Sequence, residues 1–242
     1  MMLLLLLNIF ALSHCSTIPG ISNKTQAPDG AVPSYVSDWP VGYYGLPKPT
    51  SGCPGGGWEE GWRYHDTEDH DDEDSWSDPI HLAGSLSHDG MRQEFCMKPN
   101  DEGEEWPAGD YCIYKSGDHC PTHFNDGAIY IDDEDHNNEN NYGGIVPSGS
   151  YEKNTFYQYC CRIDGDPENG IHLPTTKEFF LFPHSPGCQK VVGMNSSMEY
   201  LHFDTEDHND ASYVSGVHPK ADIGSGSAKN PTIYYCYYTP TL

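Results

Sequence analysis

Positive charge is scarce in this chain. Lys and Arg number 12 against 37 Asp and Glu, giving a formal net charge of −25. A chain so short of cations has little with which to neutralise phosphates, which excludes nucleic acid as an expected partner. Anionic membranes are disfavoured on the same ground. Long apolar runs are missing after the first residues, so no transmembrane helix and no membrane insertion by this chain alone are expected. Helical periodicity is nearly absent, and 25 Gly and 19 Pro interrupt the sequence every few residues. Catalytic signatures are missing too. There is no Gly-x-Ser-x-Gly, no His-Glu-x-x-His and no phosphate-binding loop. Gly55-Gly56-Gly57 follows Cys53-Pro54 without a Lys-Ser/Thr and reads as a turn. A non-enzymatic protein is the expectation.

What is present is a repeat. An acidic signature, D-x-E-D-H-[DN]-[DN], begins at Asp66, Asp132 and Asp204, spacings of 66 and 72 residues. Around it stand further landmarks. Trp39-Pro40 and Trp106-Pro107 open two copies, followed by Cys53-Pro54 and Cys120-Pro121 at a constant offset of 67. Leu173-Pro174 opens a weaker third copy, in which Cys188 arrives one residue late. Each copy closes on an aromatic-Cys step, Phe95-Cys96, Tyr159-Cys160 and Tyr235-Cys236. The repeat predicts three units, 39–98, 106–162 and 173–238, inside one domain spanning 39–242.

Short alternating runs predict strands. Ile129-Tyr130-Ile131 and Leu201-His202-Phe203 lead into acidic signatures, and Tyr157 to Cys160 and Ile233 to Cys236 lead to the closing cysteines. The fold class expected is all-β, with pseudo-threefold symmetry in a trefoil- or prism-like arrangement. A β-sandwich is the alternative.

Residues 1–15 read as a secretory signal peptide, with an apolar core at Leu3 to Leu7 and no charge before Lys24. Cleavage after Ser13 or after Cys15 both fit. The latter leaves eight cysteines, an even number for an oxidising, extracellular compartment. Residues 16–38 read as a flexible tail. Asn23 and Asn195 lie in glycosylation sequons. Six cysteines occupy repeated positions, and the simplest scheme pairs early with late inside each unit: Cys53–Cys96, Cys120–Cys160 and Cys188–Cys236. Cys112–Cys161 joins the remaining two. Pairing between neighbouring units is the competing scheme, since eight cysteines allow about 105 pairings.

The three signatures and their immediate tails hold 16 of the 37 acids. Carboxylates crowded in this way stay solvated or recruit a cation. Calcium is the candidate, with Asp66, Glu68, Asp69, Asp132, Glu134, Asp135, Asp204, Glu206 and Asp207 as candidate ligands. His70, His136 and His208 are candidates for a supporting role or for a transition metal. The match to an EF-hand loop is poor, because the Gly at position six and the Glu at position twelve are absent. Solvated strand-end turns are the plain alternative. A site in triplicate suits a multivalent binding surface better than a catalytic centre, which needs two carboxylates in unlike environments.

The blocks Trp39-Pro40-x-Gly42-x-Tyr44-Gly45-Leu46-Pro47-Lys48-Pro49-x-x-Gly52-Cys53-Pro54, Trp106-Pro107-x-Gly109-x-Tyr111-Cys112-Ile113, Tyr159-Cys160-Cys161-Arg162, Cys188-Gln189-x-Val191-x-Gly193-Met194 and Cys236-Tyr237-Tyr238 resemble the apextrin C-terminal domain. The resemblance covers about residues 39–238. It implies a secreted protein that binds bacterial cell wall, notably peptidoglycan, in innate defence. Some relatives are linked instead to extracellular matrix and adhesion. A cell-wall-degrading enzyme is the least favoured reading.

Overall fold

The structure is a computed structural model that describes residues 38–67, 73–88, 90–134, 137–205 and 208–241. The signal peptide, the tail to residue 37, Asn23, Glu68, Asp69, His70, Asp135, His136, Glu206 and Asp207 lie outside the described residues. Among the described residues there is no helix, and fifteen strands join one antiparallel sheet.

Five strands fall in each unit. The first contains β1 (Tyr44–Pro47), β2 (Glu59–Asp66), β3 (Ser75–Trp76), β4 (Gly84–Ser87) and β5 (Gly90–Lys98). The second contains β6 (Asp110–Lys115), β7 (Asn125–Ile131), β8 (Asn141–Gly144), β9 (Gly149–Tyr151) and β10 (Thr155–Ile163). The third contains β11 (Phe179–Pro183), β12 (Met194–His202), β13 (Tyr213–Gly216), β14 (Ala221–Asp222) and β15 (Thr232–Pro240). The same pairings recur. The last strand of each unit takes its first, second and fourth: β1, β2 and β4 pair with β5, β6, β7 and β9 with β10, and β11, β12 and β14 with β15.

Between units the pairing also repeats. The first strands associate, β1 with β6 and β6 with β11. The second strand of each unit receives the third strand of the next: β2 takes β8, β7 takes β13, and β12 takes β3.

Side-chain alternation divides the interior in two. Cys112 and Tyr114 of β6 face one cluster with Phe95, Ile129, Tyr157, Phe182, Phe203 and Tyr235. Tyr111 and Ile113 of the same strand face another with Trp39, Tyr44, Trp106, Phe179 and Tyr238. The first strands are therefore covered on both faces, which is why Phe179 to Pro183 reads as a continuous apolar run. Trp39 and Trp106, at equivalent positions, each leave an indole N–H without a hydrogen-bond partner. Each makes edge-on contacts with neighbouring rings, Trp39 with Phe179 and Trp106 with Tyr44.

The bridges formed are Cys53–Cys96, Cys120–Cys160, Cys188–Cys236 and Cys112–Cys161, all inside units. Adjacent Cys160 and Cys161 serve two partners because they face the two different clusters. The sequence separations run from 40 to 49 residues. In the chain-entropy treatment each closure stabilises by about 4 kcal/mol. Replacing Cys112 and Cys161 together by Ala is expected to lower the unfolding free energy by roughly 2–5 kcal/mol. Denaturant titration under non-reducing conditions checks this, and an unchanged midpoint contradicts it.

Candidate functional site: a ring of acidic turns

Each acidic signature follows the end of a second strand, β2, β7 or β12. The first Asp of the signature makes the same two hydrogen bonds in every copy. Asp66 Oδ2 accepts from the Glu139 amide at 2.7 Å, and the Asp66 amide donates to Asn140 Oδ1 at 2.8 Å. Asp132 Oδ2 accepts from the Ala211 amide at 2.7 Å, and its amide donates to Ser212 Oγ at 3.0 Å. Asp204 Oδ2 accepts from the Glu73 amide at 2.8 Å, and its amide donates to Asp74 Oδ1 at 2.7 Å.

The partners are the residues seven and eight positions after the first Asp of the next signature. The first turn grips the second, the second grips the third, and the third grips the first. The three acidic turns form a closed ring. Each grip is charge-assisted at its carboxylate end. Those at Asp66 and Asp204 sit partly out of water, whereas the Ala211–Asp132 bond is exposed.

Neighbouring side chains brace the turns internally. Thr67 Oγ1 donates to Asp74 Oδ2, Thr205 Oγ1 to Asp210 Oδ2, and Asn140 Nδ2 to Asp133 Oδ2. The second oxygens of two clasping carboxylates are also engaged, Asp132 Oδ1 with Asn154 Nδ2 and Asp204 Oδ1 with Asn230 Nδ2. Burial works to raise the Asp210 carboxyl, but hydrogen bonds from Ser212, Thr205 and the Lys229 amide outweigh it and hold it below the usual carboxylate value.

The candidate ligands are thus placed as follows. Asp66, Asp132 and Asp204 stand at three different seams as hydrogen-bond acceptors. Glu134 is buried, with its amide on Asp66 O. His208 is exposed. The other candidates lie outside the described residues. Among the described residues, no group of three or more His, Cys, Asp or Glu is arranged to hold a metal ion.

Beneath the ring lies a set of residues that the sequence reading did not single out. Asp133, the second residue of its signature, is fully buried. Its carboxylate meets Arg63 at 3.2 Å and His65 at 2.9 Å, and accepts from Thr155 at 2.6 Å. His65 Nε2 reaches Gln93 and Tyr157, and Gln93 donates to Tyr235. Arg63 places its remaining donors on Thr155, Tyr151 O and Glu152 O. An Asp–His–Tyr sequence of contacts has the look of acid–base machinery, yet His65 and Asp133 are sealed from solvent. The network is a core polar cluster joining unit one to unit two. A signal for it exists in the repeat. Arg63 and His65 align with Ile129 and Ile131 in unit two, and with Leu201 and Phe203 in unit three.

Two surface openings among the described residues lie away from the clasping residues. One, of about 230 Å³, is lined by Trp39, Trp58, Lys98, Asn100 and Glu102. Another, of about 310 Å³, is lined by Tyr43, Asp101 and His119.

The sequence model of the C-terminal domain of apextrin (ApeC) matches residues 39–238. Neither the curated proteins nor the solved structures contain a match to the chain.

Asp66→Ala and Asp204→Ala are each expected to destabilise the fold by roughly 1–3 kcal/mol, the cost of stranding a part-buried partner amide, and Asp132→Ala, whose partner amide is exposed, by less. Chemical denaturation of the three variants checks this. Asp210→Asn tests the charge itself. A depressed carboxylate contributes stability above its unfolded value of about 3.9 and loses it as pH falls through its lower folded value. The variant is therefore expected to be less stable than wild type at pH 7, with the gap closing below about pH 4. Thermal melts across that range decide the point.

Proposed function

The chain belongs to the family of the apextrin C-terminal domain, and from that membership we propose a secreted, non-catalytic protein that binds bacterial peptidoglycan in innate defence. The observation that carries the reading is the ring. Three acidic turns are gathered by their clasps into one array, on a domain whose three units we read as related by a pseudo-threefold axis in a trefoil- or prism-like arrangement. A single contact with a short glycan or peptide is weak. Repeated contacts on a rigid domain engage a polymeric wall at several points and gain avidity without new chemistry. Four disulfides and the absence of a membrane-length helix among the described residues support an extracellular setting.

The net charge of −25 opposes approach to an anionic bacterial surface. Specific contacts, or calcium held at the acidic signatures, offset that repulsion. Chelation then weakens binding, whereas added salt screens the repulsion and leaves binding little changed. Enclosure of His65 and Asp133 removes the described pair most suggestive of acid–base work from contact with a substrate.

Sedimentation with insoluble peptidoglycan tests the proposal. Wild type is compared with Glu68→Gln, Asp135→Asn and Glu206→Gln, singly and combined, each first checked for a native melting curve. Graded loss from single to triple variant is the expected result. Unchanged binding by the triple variant, with or without chelator, removes the acidic ring from recognition. No binding by wild type transfers the protein to the matrix and adhesion reading, and soluble wall fragments released during incubation establish an enzyme instead.

A further inference from the structure

The three seams between units are not closed alike. At two of them the third strand of one unit runs along the second strand of the previous one, passes through a glycine at positive φ, and ends by donating an amide. Gly144 has φ 71° and Gly216 has φ 62°. Ile145 N then donates to Glu60 O at 3.0 Å, and Val217 N to Asp126 O at 2.9 Å. The approach is so close that a Cβ on Gly61 would fall 2.0 Å from Ile145 O, and one on Gly127 1.9 Å from Val217 O.

The repeat offset carries each of these positions to the third seam, and each is changed there. Asp78 stands where Gly144 and Gly216 stand, Pro79 replaces the donors Ile145 and Val217, and Glu199 replaces Gly61 and Gly127. Proline has no N–H to offer. Glu199 brings a side chain where the other seams require none, and its carboxylate accepts from the His81 amide at 3.0 Å. The closing strand is cut short accordingly. β3 pairs with β12 only at Leu201 and His202, and Ser77 reaches Tyr200.

An open edge results. Phe203 N bonds Pro231 O at one end of β12, and Thr241 N bonds Gly193 O at the other. Odd-numbered residues of β12 therefore face β15, and even-numbered ones face away. Ser196 and Met198 are exposed, and no described strand pairs with them on that outer side. The stretch Met194-Asn195-Ser196-Ser197-Met198 has no charge and no proline, the usual means by which edges are blunted. What it does have is the sequon Asn195-Ser196-Ser197, with Asn195 exposed.

We propose that Asn195 carries an N-linked glycan whose bulk guards the open edge of β12, and that a chain lacking it pairs with a second copy along Ser196 to Met198. The modification uses a lipid-linked oligosaccharide of the secretory pathway. The bond from the sugar's anomeric carbon to the carrier diphosphate breaks, the bond to Asn195 Nδ2 forms, and one amide proton is released. The proposal rests on the secretory reading but not on the ligand.

The test uses full-length protein secreted from a eukaryotic host. Peptide mass spectrometry is expected to find the Asn195 peptide heavier by a glycan, and Ser197→Ala is expected to abolish that increment. Light scattering coupled to gel filtration then follows association. Wild type is expected to stay monomeric. Asn195→Gln, Ser197→Ala and enzymatically deglycosylated wild type are expected to double in mass as concentration rises. Met198→Lys added to Asn195→Gln is expected to restore the monomer by charging the edge. A secreted protein with an unmodified Asn195 peptide overturns the proposal while leaving secretion intact. Glycan-free protein that remains monomeric at every concentration overturns it as well.

Discussion

The grip of each acidic turn on the next is the interaction on which the arrangement of the three units depends. The disulfides lie within units, and none of the four crosses a seam. Joining the units falls to strand pairing, packing of the first strands, and the paired hydrogen bonds at Asp66, Asp132 and Asp204. At each seam one carboxylate is directed onto a backbone amide of the neighbouring turn, a charge-assisted bond. Opening any seam breaks one carboxylate bond and one amide bond, and because the third turn grips the first, no turn is left at an unsupported end.

Two departures from the repeat give the units individual character. At the seam between units one and two, Arg63 and Asp133 form a fully buried ion pair. Such a pair is tolerated only when its remaining donors and acceptors are satisfied, and Thr155, Tyr151 O, Glu152 O, Asn140 and His65 do this. At the equivalent depth the other units carry Ile129 and Leu201 in an apolar core. At the seam between units three and one, Glu199 and Pro79 replace residues that close the other seams, and β12 is left with a free edge. The same three-unit plan is thus ionic at one junction and open at another.

Much of this was legible in the sequence because it is recorded in residue identity at fixed spacing. Repeated cysteines marked within-unit bridges, and alternating aromatic runs marked the last strands of units two and three. Resemblance to the apextrin C-terminal domain came from the same blocks. The clasp was not legible. Its partners are backbone amides and side chains of mixed type, Glu139 with Asn140, Ala211 with Ser212 and Glu73 with Asp74, and an amide leaves no trace in composition. The signature therefore read as candidate cation ligands or as solvated turns, and the hydrogen bonds of its first Asp to the next turn were not foreseen. The buried network was missed for a related reason. Arg63 and His65 look like ordinary polar strand residues until they are set beside Ile129 and Ile131.

Amide hydrogen exchange followed by NMR tests the closed ring most directly. Glu73, Glu139 and Ala211 lie in turns, where amides commonly exchange fast. The ring predicts that all three are protected. It further predicts that Asp66→Ala releases Glu139, Asp132→Ala releases Ala211 and Asp204→Ala releases Glu73, each effect appearing in the neighbouring unit. Exchange of these three amides in the wild type at the rate of open loops would contradict the account.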